Sequence, residues 1–169
     1  MMIKEAVPAD ALMLAEMFIG YIDGHREYIS HGEIQMGVGE GFISGGQLVA
    51  VPSGCAKDKW LKYINEHIAD KETSNVWKVV DECGALAGFC VADIQEDGDE
   101  PFGMVCDVLV SEEYRGKGIG GELLQTAIDW LKGKGVKDIY LESGKNNHSA
   151  HRFFEKRGFC HVSEIYKLA

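Results

Sequence analysis

Proline is scarce in this chain, with three residues in 169, and no two of its cysteines have the CxxC spacing of a structural zinc or redox motif. Its five cysteines are an odd number and do not suggest a disulfide framework, so a reducing compartment, the cytoplasm, is the expectation. Most of them lie in apolar, strand-like runs and read as buried, inert thiols. Long apolar runs are missing as well. The first 22 residues carry Lys4, Glu5, Asp10 and Glu16, which leaves no uninterrupted signal-peptide core or membrane span there, and no membrane partner is expected. Basic residues are the minority: 17 Lys and Arg stand against 27 Asp and Glu, a net charge of −10. A general nucleic-acid binder needs a net basic face against the phosphate backbone, so no nucleic acid is expected either. A cationic small molecule or peptide suits the balance better.

With 46% apolar and 26% charged residues, the composition is that of one ordinary globular domain. Periodicity predicts a short first strand over 2–6 and a helix from Ala9 to about Asp23, with Leu12, Leu14, Ala15, Phe18, Ile19 and Ile22 at near-helical spacing. Seven glycines fall between 32 and 54, each costing about 0.5–1 kcal/mol inside a regular element, so that stretch reads as loop with at most a short strand at 48–51. A second helix fits 57–71 through Trp60, Leu61, Ile64 and Ile68. Period-two patterning then predicts strands over 76–83, 85–94 and 103–110, the last after an acidic turn at 96–101 without the ligand spacing of a calcium loop. A helix to about Lys134, a strand over 138–142, a helix over 147–156 and one or two strands over 159–168 complete an α/β domain with a mixed sheet.

Chemistry concentrates where the strand Val105-Cys106-Asp107-Val108-Leu109-Val110 runs, after a short turn, into Arg115-Gly116-Lys117-Gly118-Ile119-Gly120-Gly121. The first amides of a helix have no intrahelical acceptor and sit at the positive end of its dipole; glycines let a bulky anion approach them. Arg115 and Lys117 add positive charge, so a pyrophosphate is the expected ligand. The spacing of a P-loop is absent. The G-x-G-x-x-G letters of a dinucleotide-binding turn are present, but after a late strand rather than the first, and a ligand-free strand–helix connection remains a further reading.

The segment resembles the GCN5-related N-acetyltransferase family. Arg115 to Gly120 fit that family's [QR]-x-x-G-x-[GA] acetyl-CoA loop, and Asn147-His148-Ser149-Ala150-His151-Arg152-Phe153-Phe154 through Gly158-Phe159 fit its second motif, about 30 residues on. The resemblance covers residues 76–169 by motif and 2–71 by element order. It implies one N-acetyltransferase domain over 1–169, with acceptor-side helices and a glycine-rich loop in 1–75 and an acetyl-CoA-binding core in 76–169. It also implies a mostly antiparallel sheet of six to seven strands flanked by about four helices, splayed between the strands at 103–110 and 138–142. Pantetheine would pair with strand backbone at Val108 and Val110, and the pyrophosphate would rest on Lys117, Gly118, Ile119 and Gly120 beside Arg115 and Gly116. Asn147, Ala150, Phe153 and Phe154 would meet the cofactor's other side, Asn147 being also a good N-cap and Phe153 a core residue in any case.

The resemblance implies direct acetyl transfer from acetyl-CoA to a primary amine, with the Leu109 N–H steadying the oxyanion. The chain departs from the family pattern at two positions. Phe154 stands where a proton-donating tyrosine is usual, and Cys106 where glutamate is frequent. Tyr140 is therefore the candidate acid and Asp107 the candidate base, beside the plainer readings of an ordinary strand tyrosine and a structural carboxylate. Phe154 also motivates an alternative, a non-catalytic coenzyme A-binding or sensor domain. His148 and His151 lack a third ligand at fixed spacing, so no metal is expected. His25, Glu27, Tyr28 and His31 fall in the region that the resemblance assigns to the acceptor, and a homodimer is the base-rate expectation.

Overall fold

The computed structural model of the chain describes residues 1–96 and 98–169; the acidic turn expected at 96–101 therefore lies in part outside the described residues. In chain order the elements are β1 (Met2–Glu5), α1 (Ala11–Gly24), α2 (His31–Gln35), β2 (Gly39–Ser44), β3 (Gln47–Pro52), α3 (Ala56–Ala69) and β4 (Ser74–Val80). There follow β5 (Leu86–Gln95), β6 (Phe102–Val110), α4 (Ile119–Gly133), β7 (Ile139–Leu141) and α5 (His148–Glu155). They form two units. One comprises Met1–Phe18 with Trp60–Leu141, the other Ile19–Lys59 with Glu142–Ala169.

The first unit holds a five-stranded sheet in the order β1-β4-β5-β6-β7. All pairs are antiparallel except β6 with β7. Its central strands are buried on both faces: Val76, Trp77 and Val79 of β4 and Ala87 and Phe89 to Ala92 of β5 are all sealed. Helices on each side account for that. On one face α4 buries Ile119, Leu123, Leu124, Ala127 and Leu131, a single helical stripe. On the other, Trp60, Ile64 and Ile68 of α3 are buried; the Trp60 ring stacks on Phe18 at 4.7 Å and meets Phe89 edge-on at 5.6 Å. A tryptophan buried this completely removes about 150–250 Å² from water. Before α1, the Asp10 carboxylate accepts the Val7 N–H at 2.8 Å and pairs with Lys78, satisfying a buried acid.

In the second unit the glycine-rich stretch is not the loop, with at most a short strand at 48–51, that composition suggests, although β3 covers that strand. It contains α2 and a two-stranded sheet, β2 with β3, turned through Gly45 and Gly46 at φ +57° and +75°. Two residues with positive φ make the hairpin turn that matches strand twist, and cross-strand pairs Phe42↔Val49 and Ile43↔Leu48 offset the cost of the other glycines. The strands expected over 159–168 are also corrected: residues 159–169 form neither helix nor strand, and Val162 and Tyr166 are 73% and 87% exposed. An apolar alternation becomes a strand only where a neighbouring edge takes its backbone, and none does so among the described residues. Where six to seven strands in one sheet and about four helices were expected, the described residues hold five strands in one sheet, two in another and five α-helices.

Candidate active site

β6 and β7 pair only through Gly103↔Ile139, Met104↔Tyr140 and Val105↔Leu141, so five further residues of β6 run on past the end of β7. Two hydrogen bonds fix which way their amides point. The Gly103 N–H donates to the Asp138 carbonyl, on the β7 side, and the Ser111 N–H to the Ala87 carbonyl, on the β5 side. Residues eight apart in an uninterrupted strand would face the same edge, so one extra residue must intervene. It is a β-bulge: the register steps from Ala92↔Val105 to Val91↔Asp107 and leaves Cys106 over. Counting back from Ser111, the amides of Val110 and Val108 face the edge that β7 has left. Leu109 stands opposite Phe89 and directs its N–H at β5, so the oxyanion role expected of that amide is corrected; its side chain is core, 7% exposed.

Beyond this edge the chain turns into α4. Gly116 and Gly118 have φ of +75° and +85°, the left-handed region that a side chain disfavours, while nothing lies within 4 Å of where a Cβ would stand. The glycines are required by backbone conformation rather than by crowding. Gly121 and Glu122 both donate their N–H to the Gly118 carbonyl. Among the described residues no carbonyl receives the amides of Gly116, Lys117, Gly118, Ile119 or Gly120, which leaves a run of donors at the helix start. Arg115 donates from Nε to the Val110 carbonyl at 3.2 Å, and the Lys117 ammonium lies 4.9 Å from the Tyr114 ring centre. Tyr114 in turn donates to Asp81 at 2.6 Å, which pushes its pKa up to about 12.

The bulge also places chemistry on the α3 side of the sheet. Tyr63 donates its O–H to Asp107 Oδ2 at 2.7 Å. One turn later His67 sets Nδ1 2.8 Å from the Tyr63 carbonyl and Nε2 3.3 Å from Asp93 Oδ2, which also accepts from Gln95 at 2.8 Å. Burial pushes the Tyr63 hydroxyl well up, with the Asp107 charge adding to it. Burial likewise raises the Cys106 thiol, helped by Asp93 and Asp107. Burial opposes charge on His67, yet the hydrogen bonds to Asp93 and to the Tyr63 carbonyl win and raise its pKa overall.

A family model for the acetyltransferase (GNAT) family matches residues 48–159, well over half of the chain. The chain belongs to that family. Among curated relatives, the N-alpha-acetyltransferase 30 of Schizosaccharomyces pombe is 33% identical over 81 residues, 48% of this chain and 53% of that protein. The mycothiol acetyltransferase of Propionibacterium freudenreichii is 35% identical over 85 residues, 49% of this chain and 27% of that protein. The chain thus spans about half or less of the length of these relatives. Among solved structures, a tetramutant of the BH1408 protein of Bacillus halodurans superposes with a TM-score of 0.72 at 20% identity, covering 100% of this chain and 99% of that one, a likeness of fold.

Within this GNAT chain, Tyr140 stands opposite Met104 on β7, 42% exposed and edge-on to Phe102 at 5.6 Å, on the same face of the sheet as Asp107. In the second unit, Asn147 caps α5 by accepting the Ala150 N–H at 3.2 Å and donates to the Tyr21 hydroxyl at 3.4 Å. Phe153 is half-buried rather than core, under the Arg157 guanidinium at 3.7 Å, with the half-buried Phe154 beside it at 5.3 Å. His25 stacks on both Tyr21 and Tyr28, whose own rings lie 6.3 Å apart, and Glu142 accepts the Gly32 N–H at 2.8 Å with His31 3.8 Å away. His151 Nε2 lies 3.0 Å from the Gly144 carbonyl. The reading of the cysteines as mostly buried is corrected: Cys55, Cys83 and Cys160 are exposed, Cys106 is half-buried and only Cys90 is sealed. Sequence reasoning missed Tyr63, His67 and Asp93. Their one local signal is the i, i+4 spacing of Tyr63 and His67 beside the apolar stripe of α3.

Proposed function

We propose that this chain transfers an acetyl group from acetyl-CoA to a primary amine, most favourably a cationic small molecule, by direct attack in a ternary complex. The observation that carries the reading is the run of amides from Gly116 to Gly120 without an acceptor among the described residues, continuous in sequence with a strand whose Val108 and Val110 amides face the edge that β7 has left. The first suits a diphosphate and the second an extended amide-bearing arm that adds itself as a strand. In this reading Val108, next to the bulge, offers its N–H to the thioester oxygen as charge develops there. Asp107 takes the proton of the incoming ammonium, directly or through water, while Tyr63 holds one carboxylate oxygen. The new C–N bond forms as the C–S bond breaks, and Tyr140 or solvent returns a proton to the thiolate, whose free pKa near 8.5 makes it a fair leaving group. Arg115 and Lys117 set positive charge beside the diphosphate site. The net charge of −10 favours a cationic acceptor.

Thiol release measured with acetyl-CoA across polyamines, aminoglycosides, amino acids and peptides tests the reading. Turnover with at least one amine is expected, with kcat reduced about 10²–10⁴-fold in Asp107→Asn. Cofactor binding without turnover on any acceptor would favour the non-catalytic coenzyme A-binding domain that Phe154 suggests. Absence of cofactor binding would remove both.

A further inference from the structure

We propose that His67, Asp93 and Cys106 form a site for a borderline-soft divalent cation of the zinc class. The three residues come from α3, β5 and the β6 bulge, and one ligand atom from each lies within 4.8 Å of the other two. A tetrahedral ion with bonds of roughly 2.0–2.3 Å needs its ligand atoms about 3.3–3.8 Å apart, so side-chain rotation of under a rotamer step closes the site. Imidazole, carboxylate and thiolate together match zinc better than the hard ions that prefer oxygen alone.

Two further observations point the same way. His67 Nδ1 faces the Tyr63 carbonyl at 2.8 Å, and a nitrogen beside a carbonyl oxygen must carry the proton. This leaves Nε2, the atom through which the ring would bind an ion, facing Asp93 Oδ2 at 3.3 Å. The Nδ1–H to backbone-carbonyl bond is also the outer contact that orients a metal-binding histidine. Asp93 Oδ1 is buried and has no hydrogen-bond partner among the described residues, while Gln95 supports Oδ2 from outside. Binding displaces the Cys106 thiol proton to solvent and leaves a fourth coordination position for water or another small ligand. The ion would tie α3 to the bulge that carries Asp107.

The test is titration of the metal-stripped full chain with Zn²⁺ in a calorimeter and with Co²⁺ in an absorption spectrometer. One equivalent is expected to bind, and the Co²⁺ form to show tetrahedral d–d bands with a thiolate-to-cobalt charge-transfer band. Cys106→Ser should abolish that band, and His67→Ala should weaken binding beyond the roughly 10–100-fold typical of losing an outer partner. Paired replacement of His148 and His151 by alanine should change nothing. A flat titration of the parent, a cobalt spectrum without the charge-transfer band, or binding lost with the α5 histidines instead would overturn the site.

Discussion

Gly118 shows how much one backbone angle decides. At φ +85° it starts α4 in the left-handed region, where an L side chain costs about 1–2 kcal/mol. Gly118→Val should lower the unfolding free energy by about that amount in urea and weaken acetyl-CoA binding more than tenfold, because the amides on either side turn with it. Tyr63→Phe removes the hydrogen bond to Asp107, a charged acceptor, and should cost about 1.5 kcal/mol in stability. In turnover it should lower kcat while leaving KM for acetyl-CoA in place, since Tyr63 lies at the acceptor end of the mechanism. The two residues differ in how legible they are. Gly118 belongs to a motif written in consecutive letters, whereas Tyr63 meets Asp107 across 44 positions and only the folded sheet joins them.

Among elements, α3 carries a charge that titrates. His67 has a raised pKa in the fold, so its protonated form is favoured by folding. Its contribution is therefore complete below the ordinary histidine value near 6.5 and is lost as pH rises through the raised value. In metal-free protein, denaturation at pH 6 and pH 8.5 should show His67→Gln costing more at the lower pH; an equal cost would mean that Asp93 and Asp107 do not hold that proton. Element types were legible wherever one apolar period ran unbroken, as in α4 and in β4 to β6. Of the β2–β3 hairpin only β3 is legible, as the short strand at 48–51; β2 is hidden because glycine reads as a breaker there, while Gly45 and Gly46 are what the turn requires. The 159–168 segment failed in the opposite direction: its alternation was genuine, but strand formation depends on a neighbour that alternation alone does not supply.

At the scale of the whole molecule, no helix among the described residues is long and apolar enough to cross a membrane, and charge is the leading long-range property. A net charge of −10 should draw cationic acceptors, so their KM should rise as salt goes from 0.01 to 0.5 M, shrinking a Debye length of about 30 Å to under 10 Å. A neutral amine should show little change. The central claim is that the amides of Gly116 to Gly120 cradle a diphosphate, and calorimetric titration with coenzyme A and, separately, with pantetheine, which lacks that group, tests it most directly. Coenzyme A should bind roughly 100-fold more tightly, the worth of one or two charge-assisted hydrogen bonds, and Gly118→Asp should erase the difference. Equal affinities for the two ligands, or a preference that survives Gly118→Asp, would contradict it.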